Sequence, residues 1–203
     1  PWEHLRADYI DFDSIKVAPS TSPDPDYFLW GQFSRFLTIK YTLRVLAWLG
    51  QDCDGKVPLQ EWKAAVRSGS PEYRDMLRKL DVERRTRRGA QMASGFPKDT
   101  EKSTERFTTH FCADIYSNGK MVGMPAHLGL ITHSDEIIQF TPEGLAYVKA
   151  VNPIMDYVGP DGRTIGADEE KILLCQLRDH LPSEWAFMLQ VRDWIGEGHN
   201  TPA

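Results

Sequence analysis

Asp52, Asp54, Glu61 and Lys63 stand close together in the first third of the chain, and their types and spacing suit divalent-cation chemistry. Carboxylates are hard oxygen ligands, and two or three of them converging on one point can hold Ca²⁺ or Mg²⁺. Between Gly50 and Trp62, the residues Asp52, Asp54, Gly55, Val57 and Glu61 fall on positions 3, 5, 6, 8 and 12 of a twelve-residue calcium loop. Gly50 takes the first position, which removes one carboxylate, and Pro58 takes the ninth; the sequence contains no second loop to pair with it. The competing reading is a polar turn between two helices. Glu61-Trp62-Lys63 is also an acid–lysine pair of the kind that serves a Mg²⁺-dependent nuclease, provided an upstream Asp reaches the same point. Asp52 and Asp54 are too near in sequence for that, and their surroundings read as helix.

Other chemistry is sparse. Cys53, Cys112 and Cys175 are odd in number and far apart, which argues against a disulfide framework and for a reduced, cytoplasmic setting. His110, Cys112, His127 and His133 match no zinc-ligand spacing, and no C-x-x-C occurs. There is no phosphate-binding glycine loop, dinucleotide fingerprint, G-x-S-x-G or H-E-x-x-H. The expectation is therefore a chain with no catalytic residues, metal or cofactor of its own. It begins at Pro1 without a signal segment, and the expectation is a piece of a larger protein whose catalytic domain lies elsewhere.

Charge points to a different class of function. The net charge is -5 over 203 residues, which speaks against a general nucleic-acid binder. The distribution is uneven, however. Residues 74–106 hold ten Lys/Arg against six Asp/Glu, an excess of four positive charges. Residues 135–203 hold five against twelve, an excess of seven negative charges. A basic middle can neutralise phosphates and release counterions. An acidic end is better suited to solvent or to a protein partner. In the middle, Tyr73, Arg74, Arg78, Lys79, Arg84, Arg85, Arg87 and Arg88 are the candidate backbone contacts; the competing reading of residues 83–88 is a solvated helix end.

The elements that would position these groups follow from periodicity and punctuation. Residues 1–23 read as an extended arm ending in a Ser/Pro cluster. A helix can open at Asp24-Pro25, and Leu37 to Trp48 is the clearest helix, stopped by Gly50. Pro58 to Val66 predicts a second, stopped at Ser68-Gly69, and Ser70-Pro71-Glu72 opens a third running to about Arg88. Three helices with short turns make a helix-turn-helix core, with Glu72 to Lys79 as its recognition helix. Residues 89–102 read as small, polar and mobile, followed by a helix over Thr104 to Tyr116 and a turn at Ser117-Asn118-Gly119. From Met121 to Ala150 the order is short helix, strand (Leu130–Thr132), polar tip (His133–Glu136), strand (Ile137–Phe140) and a helix capped by Thr141 with Pro142 at its first position. Asp168 to Leu181 and Pro182 to about Gly196 predict a final helical pair. The fold class is mainly α with small β-hairpin wings. The organisation expected is an arm (1–23), a helix-turn-helix-like module (24–102), a winged-helix module (103–155) and a C-terminal helical pair (156–203). One winged helix with a long insertion, or two tandem modules, both fit.

Residues 121–180 resemble the winged-helix DNA-recognition modules of type IIS restriction endonucleases of the FokI kind. The matching pieces are A-H-L-G-L-I at 126–131, the polar tip, I-I-Q-F-T-P-E-G-L-A-Y at 137–147, and the E-K-I-L-L helix at 170–174 followed by Leu-Pro. The resemblance covers about a third of the chain. It implies a double-stranded DNA partner contacted by Ser117, Asn118, Lys120, His127, His133 and Ser134, with Lys120 on phosphate and Asn118 reading a base edge or capping its turn. Such enzymes cleave with a separate domain, so the implied function is DNA recognition within a restriction or defence system, or regulation of transcription. A protein-interaction module working through the acidic C-terminal helices is the rival. The discriminator is whether the basic residues of 74–106 share a face with the wing.

Overall fold

The computed structural model describes residues 2–23, 36–87, 90–157 and 163–196. The helix expected at Asp24, the turn that Gly159-Pro160-Asp161-Gly162 signals in the sequence, and Arg88 lie outside the described residues. Seven α-helices and two small antiparallel sheets are described: α1 (Phe36–Gly50), β1 (Val57–Pro58), α2 (Leu59–Glu83), α3 (Glu101–Phe111), β2 (Asp114–Ile115), β3 (Met121–Val122), α4 (Met124–His127), β4 (Ile131–Ser134), β5 (Ile137–Phe140), α5 (Pro142–Lys149), α6 (Ala167–His180) and α7 (Pro182–Gly196). The fold is thus mainly helical with a small antiparallel component, as its sequence predicts. No described helix is long and apolar enough to cross a membrane.

Helix α1 is the axis of the core. Its sequence, FLTIKYTLRVLAWLG, is apolar on nearly every face, and residues 37–47 are all buried. Lys40 and Arg44, four residues apart, point the same way and carry their charges inward. The Lys40 ammonium donates to the carbonyls of Tyr147 and Ala150, at 2.6 Å each, and pairs with the Glu169 carboxylate at 3.0 Å. The Arg44 guanidinium donates to Val148 O and Leu5 O and makes a two-pronged contact with Asp156. These cations therefore satisfy carbonyls left open at the C-terminal end of α5, where the helix dipole favours positive charge. The same groups tie down the start of α6 and the N-terminal residues. Burial dominates at Lys40 and pushes its pKa down to about 8 despite Glu169.

The N-terminal segment is less extended than expected. It forms three short 3₁₀ turns, and Trp2, Leu5, Ile10 and Ile15 are buried in the core. Ala18 N then donates to Phe140 O, which lays the segment along β5. One hydrophobic core runs from Trp2 to Leu181, across the boundaries expected at 102/103 and 155/156.

The largest departure is α2. Residues 58–88 were expected as two helices with a turn at Ser68-Gly69, but Leu59–Glu83 is a single helix of 25 residues. Ser70 and Pro71 lie inside it. Proline removes one backbone donor and costs about 3 kcal/mol in a helix interior, yet the apolar stripe Leu59, Trp62, Val66, Tyr73 and Leu77 stays in phase and fully buried. Packing of that stripe outweighs the local break, so no helix-turn-helix turn exists at this point. The helix ends where Arg85 enters the left-handed region, with φ of 51°.

The main sheet has the order β1-β5-β4, with Val57 opposite Ile138 and His133 also opposite Ile138 on the other edge. The hairpin closes on Asp135-Glu136, with Asp135 at a positive φ of 54°, a conformation a short polar side chain tolerates. Thr141 caps α5 as expected: its hydroxyl accepts from Gly144 N and donates to Gly129 O. Gly144 lies so close to Leu130 O that a side chain would overlap it. This contact explains the glycine of the F-T-x-x-G pattern. Likewise the ring of His180, at the end of α6, lies directly on Gly129, which has φ of 64°.

Candidate nucleic-acid interface

The turn of the small β2–β3 hairpin is held by its own polar groups. Asn118 Oδ1 accepts from Lys120 N at 3.0 Å, Gly119 N donates to Tyr116 O, and Tyr116 N donates to Lys120 O. Of the two roles open to Asn118, its side-chain carbonyl performs the turn cap. Ser117, Asn118 and Lys120 are exposed. After β3, Gly123 at φ 125° packs against the backbone of Cys112 and Ala113 and starts the one-turn helix α4.

Between this hairpin and the β4–β5 hairpin, the wing of the sequence reading, lies a cleft of about 410 Å³. Its walls include Lys120, Met121, Ala126, His127, Thr132 and His133, with Thr21, Ser22 and Pro23 of the N-terminal segment. Three residues singled out in the sequence, Lys120, His127 and His133, thus meet at one site. His127 is largely buried, at 6% exposure, and shows only an edge to the cleft. His133 Nδ1–H donates to Asp135 O at 2.8 Å, which leaves Nε2 for a partner. Ser134 is exposed on the wing beside two acids, Asp135 and Glu136.

The basic candidates on α2 are placed very differently. Tyr73 is fully buried, stacked on Tyr41 at 4.8 Å and edge-on to Trp2. Arg74 is also buried, at 4% exposure; it pairs with Asp99 at 2.7 Å and Asp75 at 3.0 Å and donates to Pro97 O. The Arg74 hydrogen bond holds the Asp75 carboxyl below the usual carboxylate range. Neither residue presents a surface to DNA. The spacing that suggested a recognition helix is the core-facing stripe of α2. Arg78 is exposed but paired with Asp75. Lys79 and Arg84 line a groove of about 800 Å³ that also contains Glu72, Asp75 and Glu83. Arg85 and Arg87 are exposed just beyond the helix end.

Distance separates this group from the wing. Leu59 N, at the start of α2, donates to Glu136 O at the wing tip. With a rise of 1.5 Å per residue, the far end of α2 is ~37 Å away. The basic residues of 78–87 therefore do not share a local face with the wing.

The segment after α2, expected to be mobile, is fastened where it is described. Both Asp81 carboxylate oxygens accept backbone donors, from Met92 and Ala93, and Met92, Phe96 and Pro97 are buried. Arg74 holds Pro97 and Asp99. Thr100 then caps α3 by accepting from Ser103 N. Because Arg74 binds the start of α3 and the earlier residue Lys63 pairs with Asp114 beyond its end, α3 runs antiparallel to α2, back toward the wing. The cation-loop residues do not converge: Asp52, Asp54 and Glu61 are exposed, Lys63 turns to Asp114, and Asp54 pairs with Lys16 at 2.7 Å, which lowers its pKa. Among the described residues no group of three or more His, Cys, Asp or Glu is placed to hold a metal ion. Cys112, near Lys63, is fully buried and its thiol is pushed far up by desolvation, so it is not a thiolate nucleophile. Comparison with protein-family models, curated protein sequences and solved structures gives no match.

Proposed function

We propose that the chain is a winged-helix DNA-binding module, the recognition part of a restriction or defence system or of a regulator. The observation that carries this reading is the sheet order β1-β5-β4. The strand between α1 and α2 joins the hairpin between α4 and α5, so that these helices and the wing close on one core. That arrangement suits a single winged helix with a long insertion between α2 and the wing rather than two tandem modules. The helix ahead of the wing is only four residues long, with its histidine buried. A long helix in the major groove is therefore replaced by the hairpin turn Ser117–Lys120 and the end of β4, His133–Ser134, flanking the cleft. Lys120 contacts phosphate, and His133 Nε2 with the Asn118 amide supplies polar contacts to base edges.

A second reading has one observation of its own. Helix α7 exposes Phe187, Trp194 and Ile195, and Phe187, Met188, Val191 and Ile195 form an almost wholly apolar surface. Exposed apolar patches of this kind mark protein contacts. Backbone amide NMR during titration with a 20-base-pair duplex separates the two readings. The DNA reading expects shifts clustered at residues 117–134. Shifts absent there at low salt would refute it and leave α7 as the interaction surface.

A further inference from the structure

Helix α3 carries its charges in segregated stripes. Turning 100° per residue, Phe107, Thr108 and Phe111 face the core, Lys102 and Arg106 form an exposed stripe opposite it, and Glu101 and Glu105 form the stripe beside that one, with Lys98 just ahead of the helix. Like charges four residues apart repel, costing a few tenths of a kcal/mol per pair. The helix has two such pairs, Glu101–Glu105 and Lys102–Arg106, against one opposite-charge pair at helical spacing, Lys102 and Glu105. Lys98, Lys102 and Arg106 make no ion pair among the described residues. They line an open cleft of about 830 Å³ floored by Phe96 and Phe107, in which they outnumber the one acid on its wall, Glu105.

The platform beneath these charges is fixed. Arg74 clamps Pro97 and Asp99 on either side of Lys98, Asp81 pins the preceding 3₁₀ turn, and Thr100 caps the helix. Helix α3 then leads toward β2 and the Lys120 turn. We infer that the Lys98–Lys102–Arg106 flank of α3 is a phosphate-backbone track for duplex DNA, which extends the contact surface of the wing cleft along the insertion. Its occupant is a regular polyanion, because the positive charges are aligned, open and without an ion pair among the described residues. The buried Phe96 and Phe107 rings, 6% and 4% exposed, give unstacked bases no platform, which favours a duplex over a single strand. The inference rests on the DNA reading above.

Fluorescence anisotropy with a labelled 30-base-pair duplex across a salt series tests it, comparing the unaltered chain with Lys102→Gln/Arg106→Gln. Each lost phosphate contact lowers the slope of log K against log[salt] by ~0.9, so the pair should reduce it by about 1.8 and weaken binding about 30-fold at 150 mM salt. Arg85→Gln/Arg87→Gln, at the far end of α2, should change neither quantity. If the unaltered chain binds and Lys102→Gln/Arg106→Gln retains its slope while Lys120→Gln loses affinity, the α3 track is refuted and the wing-cleft reading stands. If the unaltered chain binds single strands but no duplex, the duplex assignment is overturned. If it binds neither at 50 mM salt, both readings fall. Glu101→Gln/Glu105→Gln, which lifts the negative flank, should tighten binding.

Discussion

Replacing Glu169 by Gln tests the ionic centre of the core. The Glu169 carboxylate is fully buried, pairs with Lys40 at 3.0 Å, and accepts from the Asn152 amide at 2.9 Å and from Gly166 N. Glutamine keeps the volume and removes the charge, stranding the fully buried Lys40 ammonium with two carbonyls. Removing one partner of a buried pair costs about 3–5 kcal/mol. In a chain of this size, 1 kcal/mol corresponds to about 2–4 °C, so the melting temperature should fall by about 10 °C.

The pH dependence separates the electrostatic part from lost packing. Burial lowers the pKa of Lys40 to about 8 in the folded chain, against 10.5 unfolded. Between those values the unfolded chain binds more protons, so this group makes stability rise with pH; below pH 8 it opposes folding by about 3 kcal/mol. Without Glu169, the attraction that raises the Lys40 pKa is lost and the pKa drops further. The variant's deficit should therefore be largest at low pH and shrink as pH rises to about 8, where Lys40 is becoming neutral even in the unaltered chain. Urea denaturation at pH 5 to 9, analysed as the difference between the two proteins, measures this. A loss below 1 kcal/mol at pH 6, or a deficit flat across the range, would refute the argument. Lys40→Met/Glu169→Leu should recover only part of the loss: it removes both buried charges, but it also takes these partners from the Tyr147 carbonyl, the Asn152 amide and Gly166 N.

Gly144→Ala should destabilise by more than 2 kcal/mol, because the new methyl would overlap Leu130 O and force α5 from the wing strands; thermal melting monitored by circular dichroism checks this. Tyr73→Phe should leave stability unchanged or raise it by about 1 kcal/mol, because the Tyr73 hydroxyl is buried without a partner; a clear fall in the denaturation midpoint would show that the hydroxyl is satisfied by water.

The readable parts of the fold were those with strong local signals. The run from Leu37 to Trp48, the Thr141-Pro142 helix start and the Ile137–Phe140 strand each carry a period or a cap that tertiary packing reinforces. Ser68-Gly69-Ser70-Pro71 carried an equally strong break signal, which was overridden because the stripe from Leu59 to Leu77 keeps phase across it. The wing cleft was partly legible, since Lys120, His127 and His133 flank one turn-and-hairpin unit. The α3 flank left a readable trace in Lys102 and Arg106 at helical spacing beside Glu101 and Glu105. Its value depended on knowing that α3 returns toward the wing, which only the pairs Arg74–Asp99 and Lys63–Asp114 reveal.

Counting charges along a sequence treats every arginine as available, and this chain shows why the count misleads. Arg74 lies in the most basic stretch, yet its charge is consumed by Asp75, Asp99 and a carbonyl. Arg44 and Lys40 are cations wholly inside the core. Arg78 answers Asp75, and Lys79 and Arg84 face a groove shared with three acids. Of the exposed cations without an ion pair among the described residues, Arg85 and Arg87 sit at the far end of α2, whereas Lys98, Lys102 and Arg106, the set proposed for phosphate, follow α3 on its return toward the β4–β5 hairpin. A cation outside any ion pair does more for a polyanion than one neutralised in place, because an opposed cation must break its pair before it can replace a counterion. Net charge, here -5, is for the same reason a poor guide to the proposed phosphate contacts, since Glu169, Asp156, Asp75 and Asp99 are each engaged with a cation that is itself buried.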